Sequence, residues 1–450
     1  MKKDQPRFSA TRVLSSFLRV WHANRRWTTV GLLSWIIVVD LFARSNVGIA
    51  IPAIRHDFAL TNLQIGSIFA VFQLAYALSH VPMGLAVDRF GARRTILFGG
   101  LAWVLCAAAT GLSTSLSVLL FMRVCLGIAE SPVFPAGIKI VDAWFPNREK
   151  ALAVAAYEVA VQVGFAGAPL LGALLLVAVG WRLMFVVMAL LSLIPLAIWF
   201  VRYQQPEDDK KLSPEERVLI ITGRTREPVS VLKFSEWLGL FRQTQPWAMI
   251  VGAVCYAMMS GFYLWLPIYL QQWRHFSVLH AGGSISMFGL AGIIGVILGA
   301  LLSDRLIAGG MPVLAARRMV VVGSILFAGS AILCTAIFQS NLAMLVTITV
   351  GSFAMGLGTA SAWALVPAVV PNAKLIASLG SLQNGAWQLG GAIAPLAIGA
   401  LLDRGFNFHI ILAFSAAFAL LSALIYGFVL RTPMQKLADP EVISSASGLA

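Results

Sequence analysis

The feature that most constrains this chain is its succession of long apolar runs. A helix crossing the roughly 30 Å of bilayer hydrocarbon needs about 20 predominantly apolar residues. About twelve such runs occur, near 28–53, 62–86, 95–113, 116–141, 151–177, 183–201, 247–270, 281–304, 318–338, 342–370, 376–403 and 408–430. Hydrophobic residues make up 59% of the chain and charged ones only 12%, against about 25% charged in soluble domains. That is too few polar groups to cover a soluble enzyme and too much apolar surface for a disordered chain. The runs tolerate Gly and Pro as membrane helices do, and no strand-length alternation points to a β-barrel. The fold class expected is therefore all-α and integral to a membrane, with about twelve transmembrane helices. The protein is multi-pass, in a cell or inner membrane with lipid as its main solvent.

The formal net charge is +14, and its distribution explains it without nucleic acid. With the N-terminus inside, the tails and inner loops hold 26 Lys and Arg, and the outer loops hold only Arg55, Arg182, Arg274 and Arg404. Arg44, Arg123 and Lys139 remain within spans. The positive-inside rule then places both termini in the cytoplasm. Residues 1–27 form a basic cytoplasmic tail without the apolar run of a signal peptide. Phe8, Val13, Leu14, Phe17, Leu18 and Trp21 recur there at helical spacing, which fits either a helix lying on the membrane surface or a disordered tail. The longest polar stretch, 202–246, is a cytoplasmic linker in which Ser213-Pro214-Glu215-Glu216 reads as a helix start. It separates an N-terminal six-helix half, 28–201, from a C-terminal six-helix half, 247–430, and 431–450 is a cytoplasmic tail. Cys106, Cys125, Cys255 and Cys334 lie in apolar runs without metal-ligand spacing, so they read as small buried hydrophobes.

The halves resemble each other. Ala86-Val87-Asp88-Arg89 closes the second span and Leu302-Ser303-Asp304-Arg305 the eighth. The run 169–175 of the fifth span is similar to 395–402 of the eleventh. Two related halves with a site between them is a secondary-transporter plan. Gly84-Leu85-Ala86-Val87-Asp88-Arg89-Phe90-Gly91-Ala92-Arg93-Arg94 resembles the loop signature of the major facilitator superfamily. The resemblance, with its partial repeat at Asp304-Arg305, covers nearly the whole chain and implies the two-half fold. Gly84 is expected to allow close helix packing. Asp88, an anion at the C-terminus of its own helix, is in an unfavourable place. It is better satisfied by the N-terminus of a helix in the other half or by a nearby Arg, making a gating latch with Arg89, Arg93, Asp304 and Arg305.

A narrower resemblance lies in the fourth span, where Arg123-Val124-Cys125-Leu126-Gly127-Ile128-Ala129-Glu130-Ser131-Pro132-Val133-Phe134-Pro135 is similar to the anion:cation symporter branch. That branch includes proton-coupled carriers of hexonates, hexuronates and related organic acids. Trp144-Phe145-Pro146, Gly180-Trp181-Arg182, Trp265-Leu266-Pro267-Ile268-Tyr269, Asn384 and Arg44-Ser45-Asn46-Val47-Gly48-Ile49-Ala50 also match. The resemblance implies substrate contacts at Arg44, Tyr76, Gln162, Trp363 and Asn384, with Gln383, Gln388, Tyr263 and Tyr269 as weaker candidates. The chain departs from the branch at Ala43, where an Asp is usual, at Leu41, where an aromatic is common, and at Glu158, where a small polar residue is usual. An acid stands one turn earlier, at Asp40.

Charges inside a bilayer cost about 2.5–3.5 kcal/mol each on insertion scales and face a cavity or a partner. The candidates Asp40, Arg44, Arg123, Glu130 and Glu158 all belong to the N-terminal half. Asp40 and Arg44 are one turn apart and can pair directly. Arg123 and Glu130 share a face at an axial offset of about 10 Å, so they touch only if the arginine folds toward the acid. Otherwise each meets another helix. Arg44 and Arg123 facing one cavity suit a small organic anion, since guanidinium pairs bidentately with carboxylate. Glu130 is the expected proton carrier, with Asp40 or Glu158 as a second site, because burial disfavours its charge while a nearby Arg favours it. Permanent structural pairing is the alternative. The function expected is secondary active uptake of an organic anion, a sugar acid or related carboxylate, by proton symport with alternating access, in a monomer without cofactor. The alternatives are proton-driven efflux, a membrane enzyme and a non-transporting sensor. Gly167-Ala168-Pro169 lacks the Gly-Pro pair of many efflux carriers, and the six histidines form no HxxxH or HExxH cluster.

Overall fold

A computed structural model describes residues 24–223, 234–370 and 375–434. The amphipathic segment from Phe8 to Trp21 and the tail beyond Met434 lie outside the described residues. Among the described residues all regular structure is helical. The first four spans are α1 (Arg25–Phe58), α2 (Asn62–Phe90), α3 (Ala92–Gly111) and α4 (Leu116–Trp144). A 56-residue element, Asn147–Arg202, follows. Gly180 at φ 77 turns the chain there, in a conformation that favours glycine. It divides the element into α5 (147–179) and α6 (181–202). The second half comprises α7 (Thr244–Trp273), α8 (Val278–Ala308), α9 (Val313–Ile337), α10 (Asn341–Val369), α11 (Ile376–Asp403) and α12 (Phe408–Val429). Every apolar run corresponds to one helix. Most of the helices overrun their apolar runs by up to about a turn, and several of their starts are capped by polar side chains. Thr61, Ser115, Ser277 and Asn407 each accept a first-turn N–H, at the starts of α2, α4, α8 and α12. α4 is not continuous. Its helix stops at Glu130 and resumes at Val133, where Pro132 and Pro135 remove backbone donors.

Successive spans alternate in direction, so both described chain ends and the linker lie at one end of the bundle, the terminal end. The linker docks on the N-terminal half. Pro214–Gly223 is a helix, started by Ser213 Oγ accepting from Glu216 N at 3.1 Å. The Glu216 carboxylate accepts the backbone N–H groups of Arg25 and Arg26 at 3.0 and 3.1 Å, an acid placed on the positive end of α1. Asp209 accepts from Arg25 Nε at 2.9 Å.

The two halves meet most closely at the opposite, far end, where α2 crosses α11 and α5 crosses α8. Membrane helices approach through small residues. A Cβ on Gly66 would run into the Pro395 carbonyl, and one on Gly399 into that of Asn62. Polar contacts add to this seal. Asp403, ending α11, accepts from Asn62 N at 2.8 Å, Asn62 Nδ2 at 2.9 Å and Leu63 N at 2.8 Å. Arg55 Nη1 donates to Asn62 and to Gln272 of the other half, both at 3.1 Å. The terminal end differs. A Cβ on Gly84 would meet nothing within 4 Å, so the close packing expected of this glycine is not made here. Asp88 is exposed and pairs with Lys139 of its own half at 3.1 Å, not with an arginine or a helix of the other half. The reason is geometric: the halves are closed at the far end, which leaves the end of α2 away from its partner.

Candidate functional site

A cavity of about 480 Å³ lies between the halves near the middle of the spans. Its N-terminal wall comprises Arg44, Ser45 and Gly48 of α1, Phe69, Phe72 and Gln73 of α2, Arg123 of α4, and Phe165 and Pro169 of α5. Its C-terminal wall comprises Ser260, Tyr263 and Pro267 of α7, Ile285 of α8, and Trp387 and Gln388 of α11. A larger cavity of about 770 Å³ between α2, α3 and α4 is lined mainly by apolar side chains such as Met83, Phe98 and Ala102. It brings together no set of polar groups that would hold a polar ligand.

Arg44 turns toward α2. Its guanidinium stands over the rings of Phe72 at 4.8 Å and Tyr76 at 4.9 Å, a cation–π arrangement, and Nη2 donates to Gln73 Oε1 at 2.7 Å. Arg123 is 2% exposed, stands 5.7 Å from the Phe185 ring, and donates weakly through Nη1 to the Arg44 carbonyl at 3.5 Å. Its Nε and Nη2 have no hydrogen-bond partner. Behind this wall Asp40 and Glu130 are buried at 2% and 0% exposure. Asp40 Oδ1 and both Glu130 carboxyl oxygens lack a partner among the described residues.

Among the described residues neither arginine makes an ion pair. The direct Asp40–Arg44 pair that their spacing allows is not formed, because the arginine head is taken up by Gln73, Phe72 and Tyr76. Nor does Arg123 fold back to Glu130, which sits at the break in α4. Two cations lining a cavity walled largely by apolar groups, without an ion-paired carboxylate on either, are an arrangement that favours an anionic ligand.

Tyr76 is buried beneath Arg44, stacked on Phe72 at 6.0 Å and edge-on to His80 at 4.8 Å. Gln162 is half-buried and lies on the face of α5 that carries Phe165 and Pro169, with the exposed Glu158 one turn before it. Trp363 stacks on Trp387 with centroids 6.4 Å apart and planes at 5°. Asn384 is half-buried three residues before Trp387. These four, Tyr76, Gln162, Trp363 and Asn384, lie about a turn nearer the terminal end than the residues enclosing the cavity. Gln388 and Tyr263 line it. Gln383 donates to the Ala362 carbonyl at 3.2 Å and belongs to packing. Tyr269 packs between Phe262 and Phe408 at 5.6 and 5.1 Å, away from the site. Of the latch residues, Arg89 lies over Phe90 and Arg93 donates to the Phe200 carbonyl at 2.7 Å. Asp304 and Arg305 are exposed at the end of α8. Gln73, Ser260 and Trp387 were not singled out from the sequence. Gln73 had a signal, a polar residue in an apolar run three positions before Tyr76 and on its face.

Residues 33–316 match the family model described as Major Facilitator Superfamily, which is more than half of the chain. Among curated relatives, a protein described as "Probable L-galactonate transporter" from Escherichia coli K12 is 27% identical over 90% of this chain and 90% of its own length. The D-galactonate transporter of Escherichia coli O6:H1 is 29% identical over 90% of this chain and 95% of its own. Among solved structures, a bacterial homolog of the human lysosomal transporter Spinster, inward-facing and unoccupied, superposes with a TM-score of 0.77 at 18% identity, over 93% of this chain and 99% of the other. That likeness is one of fold. The family match, the relatives aligned along nearly the whole chain and the shared two-half architecture lead to one conclusion: this chain belongs to the Major Facilitator Superfamily, and is a multi-pass membrane transporter and not an enzyme.

Proposed function

We propose that this transporter takes up a small organic anion, a sugar acid or related carboxylate, together with protons, by alternating access around the central cavity. The observation that carries the reading is the cavity wall, in which Arg44 and Arg123 line one space and no carboxylate is paired with either. A carboxylate entering that space meets planar, charged donors, the strongest kind of hydrogen bond available to it. The hydroxyls of a sugar acid find Gln73, Gln388, Tyr263 and Ser260 around them, and Trp387 offers a face to its C–H surface. The relatives' described substrates, L-galactonate and D-galactonate, agree with this chemistry.

The proton part of the reading rests on Glu130 and Asp40. An ionised carboxylate without donors in a buried place costs several kcal/mol, so these are places where a proton is carried. With Ala43 at the position where an acid is usual in the branch, Glu130 is the principal coupling group and Asp40 the second. Glu158, on the same helix face as Gln162 and nearer the terminal end, serves as a further coupling site. Both chain ends and the linker 202–246 are assigned to the cytoplasm on the asymmetry of Lys and Arg, so the open end of the cavity faces inward. Gly84, Asp88, Arg89 and Arg93, with Asp304 and Arg305, are the latch that closes that end in the opposite conformation.

Isothermal titration of the purified protein with D-galactonate, D-glucuronate, galactarate and neutral D-galactose tests the anion. The reading expects at least one acid to bind and galactose not to. Binding of none of the acids, or equal binding of galactose, contradicts it.

A further inference from the structure

The short hydrogen bonds around Gln73 form a chain across the cavity. Arg44 Nη2 donates to Gln73 Oε1 at 2.7 Å, and Gln73 Nε2 donates to Gln388 Oε1 at 2.7 Å. Arg44 and Gln73 belong to the N-terminal half, Gln388 to the C-terminal half. The direction of the chain is fixed by chemistry. Arginine can only donate, so the amide oxygen must face it, and the amide NH₂ is left for Gln388. Gly391 gives the side chain room, since a Cβ there would stand 3.1 Å from Gln73 Nε2.

We propose that Gln73 is a positioning residue for substrate: it holds the Arg44 guanidinium in the pose that receives a carboxylate, and ties that pose to the opposite half through Gln388. This rests on the anion-binding reading above and adds a residue and a coupling to it. The rings of Phe72 and Tyr76 fix the plane of the guanidinium, and Gln73 fixes its rotation within that plane. A long side chain ordered before binding loses less freedom when the ligand arrives. A neutral acceptor does this without cancelling the charge, whereas a carboxylate at the same place would compete with the substrate. Because Gln388 stands on the other half, rocking of the halves breaks one bond of the chain and loosens Arg44, so grip on the anion follows conformation.

The test measures D-galactonate affinity in purified wild type, Gln73→Leu, Gln388→Leu and the double variant, with folding checked by thermal unfolding. Gln73→Leu is expected to raise Kd about tenfold, as loss of a hydrogen bond to a charged group does. Gln388→Leu keeps the Arg44–Gln73 bond and is expected to raise Kd about twofold to threefold. The double variant is expected to match Gln73→Leu alone, since the two act as one unit. Wild-type affinity in Gln73→Leu overturns the positioning role, and additive effects in the double variant overturn the tie between halves.

Gln73→Glu keeps the shape and serves if Gln73→Leu does not fold. The introduced carboxyl would face Arg44 of α1, Arg123 of α4 and Tyr263 of α7, beside Tyr76 and His80 of its own helix, with Asp40 and Glu130 behind. The described cavity residues of α5, α8 and α11 carry no titratable group. Ionised at high pH, that carboxyl occupies Arg44, and protonated at low pH it acts as the amide does. The variant-to-wild-type Kd ratio is therefore expected to be tenfold or more at pH 8, on the order of a charged hydrogen bond, and to fall only as acid protonates a carboxyl whose charge Arg44 favours; a flat ratio near one contradicts the proposal. If wild type binds none of the acids, the functional reading has failed; if wild type binds and the variants match it, only the role of Gln73 has.

Discussion

The cavity has two unlike walls. The α1 and α4 side presents Arg44 and Arg123 with Asp40 and Glu130 buried behind them, whereas the α7 and α11 side presents Tyr263, Ser260, Trp387 and Gln388 without a formal charge. A charge in the bilayer is tolerated where it faces a cavity or a partner, and this chain has placed all such charges in one half. Under the proposed function, the division gives recognition of the carboxylate and handling of the proton to the N-terminal half. The C-terminal half is left to shape the site and read the hydroxyls. In that reading, binding of the anion acts on the acids through the neighbouring arginines of the same half.

The largest expected effect breaks the charged wall. Arg44→Ala and Arg123→Ala each remove charge-assisted hydrogen bonds to the carboxylate, and each is expected to raise the Kd for a sugar acid roughly 10- to 150-fold, measured by titration calorimetry. Lys at either position is expected to recover only part of this, because it lacks the planar fork. Affinity unchanged in both Ala variants would mean that the anion binds elsewhere. The uncharged wall should respond more weakly. Trp387→Ala, which removes a stacking face and unseats Trp363, is expected to weaken binding by about tenfold, as loss of an aromatic contact of about 1–1.5 kcal/mol does. Tyr263→Phe is expected to change Kd by no more than about threefold, the scale of one neutral hydrogen bond. If the Trp387 and Tyr263 variants cost more than the arginine variants, the division between the walls is wrong.

The two ends of the bundle sharpen the same comparison. At the far end Asp403 accepts the first N–H groups of α2, while at the terminal end Asp88 pairs within its own half. Asp403→Ala is expected to speed hydrogen exchange at Asn62 and Leu63 by about tenfold, consistent with loss of a helix cap of about 1–2 kcal/mol. Asp88→Asn is expected to leave that exchange unchanged and to slow turnover with little loss of folded protein. Faster exchange at α2 in Asp88→Asn, or none in Asp403→Ala, would reverse the assignment of the closed end.

Much of this was legible in the sequence because the bilayer imposes a length on every span, so twelve apolar runs gave twelve helices. The five intramembrane charges stood out for the same reason. What escaped was anything decided by which helix faces which. Spacing alone allowed Asp40 and Arg44 to pair, but α2 brings Gln73, Phe72 and Tyr76 to the arginine first. Asp88 was expected to find an arginine or a helix end, and it finds Lys139 because the halves are parted at that end. The docking of Glu216 onto the start of α1 joins residues about 190 positions apart, beyond the reach of any local pattern. Gln73 was missed because its signal, one amide in an apolar run a turn before Tyr76, does not say which side chains it meets across the cavity.

The most direct test of the charged wall as the seat of both anion and proton is accumulation of labelled D-galactonate in proteoliposomes under an imposed pH gradient. Wild type and Glu130→Gln are compared, and each is also assayed for exchange with no gradient. Gln keeps the shape of Glu130 but cannot release a proton. Wild type is predicted to concentrate the anion when the outside is acidic. Glu130→Gln is predicted to exchange it at a comparable rate while accumulating none above equilibrium. Accumulation by Glu130→Gln with the pH dependence of wild type, or a wild type indifferent to the gradient, would contradict the account.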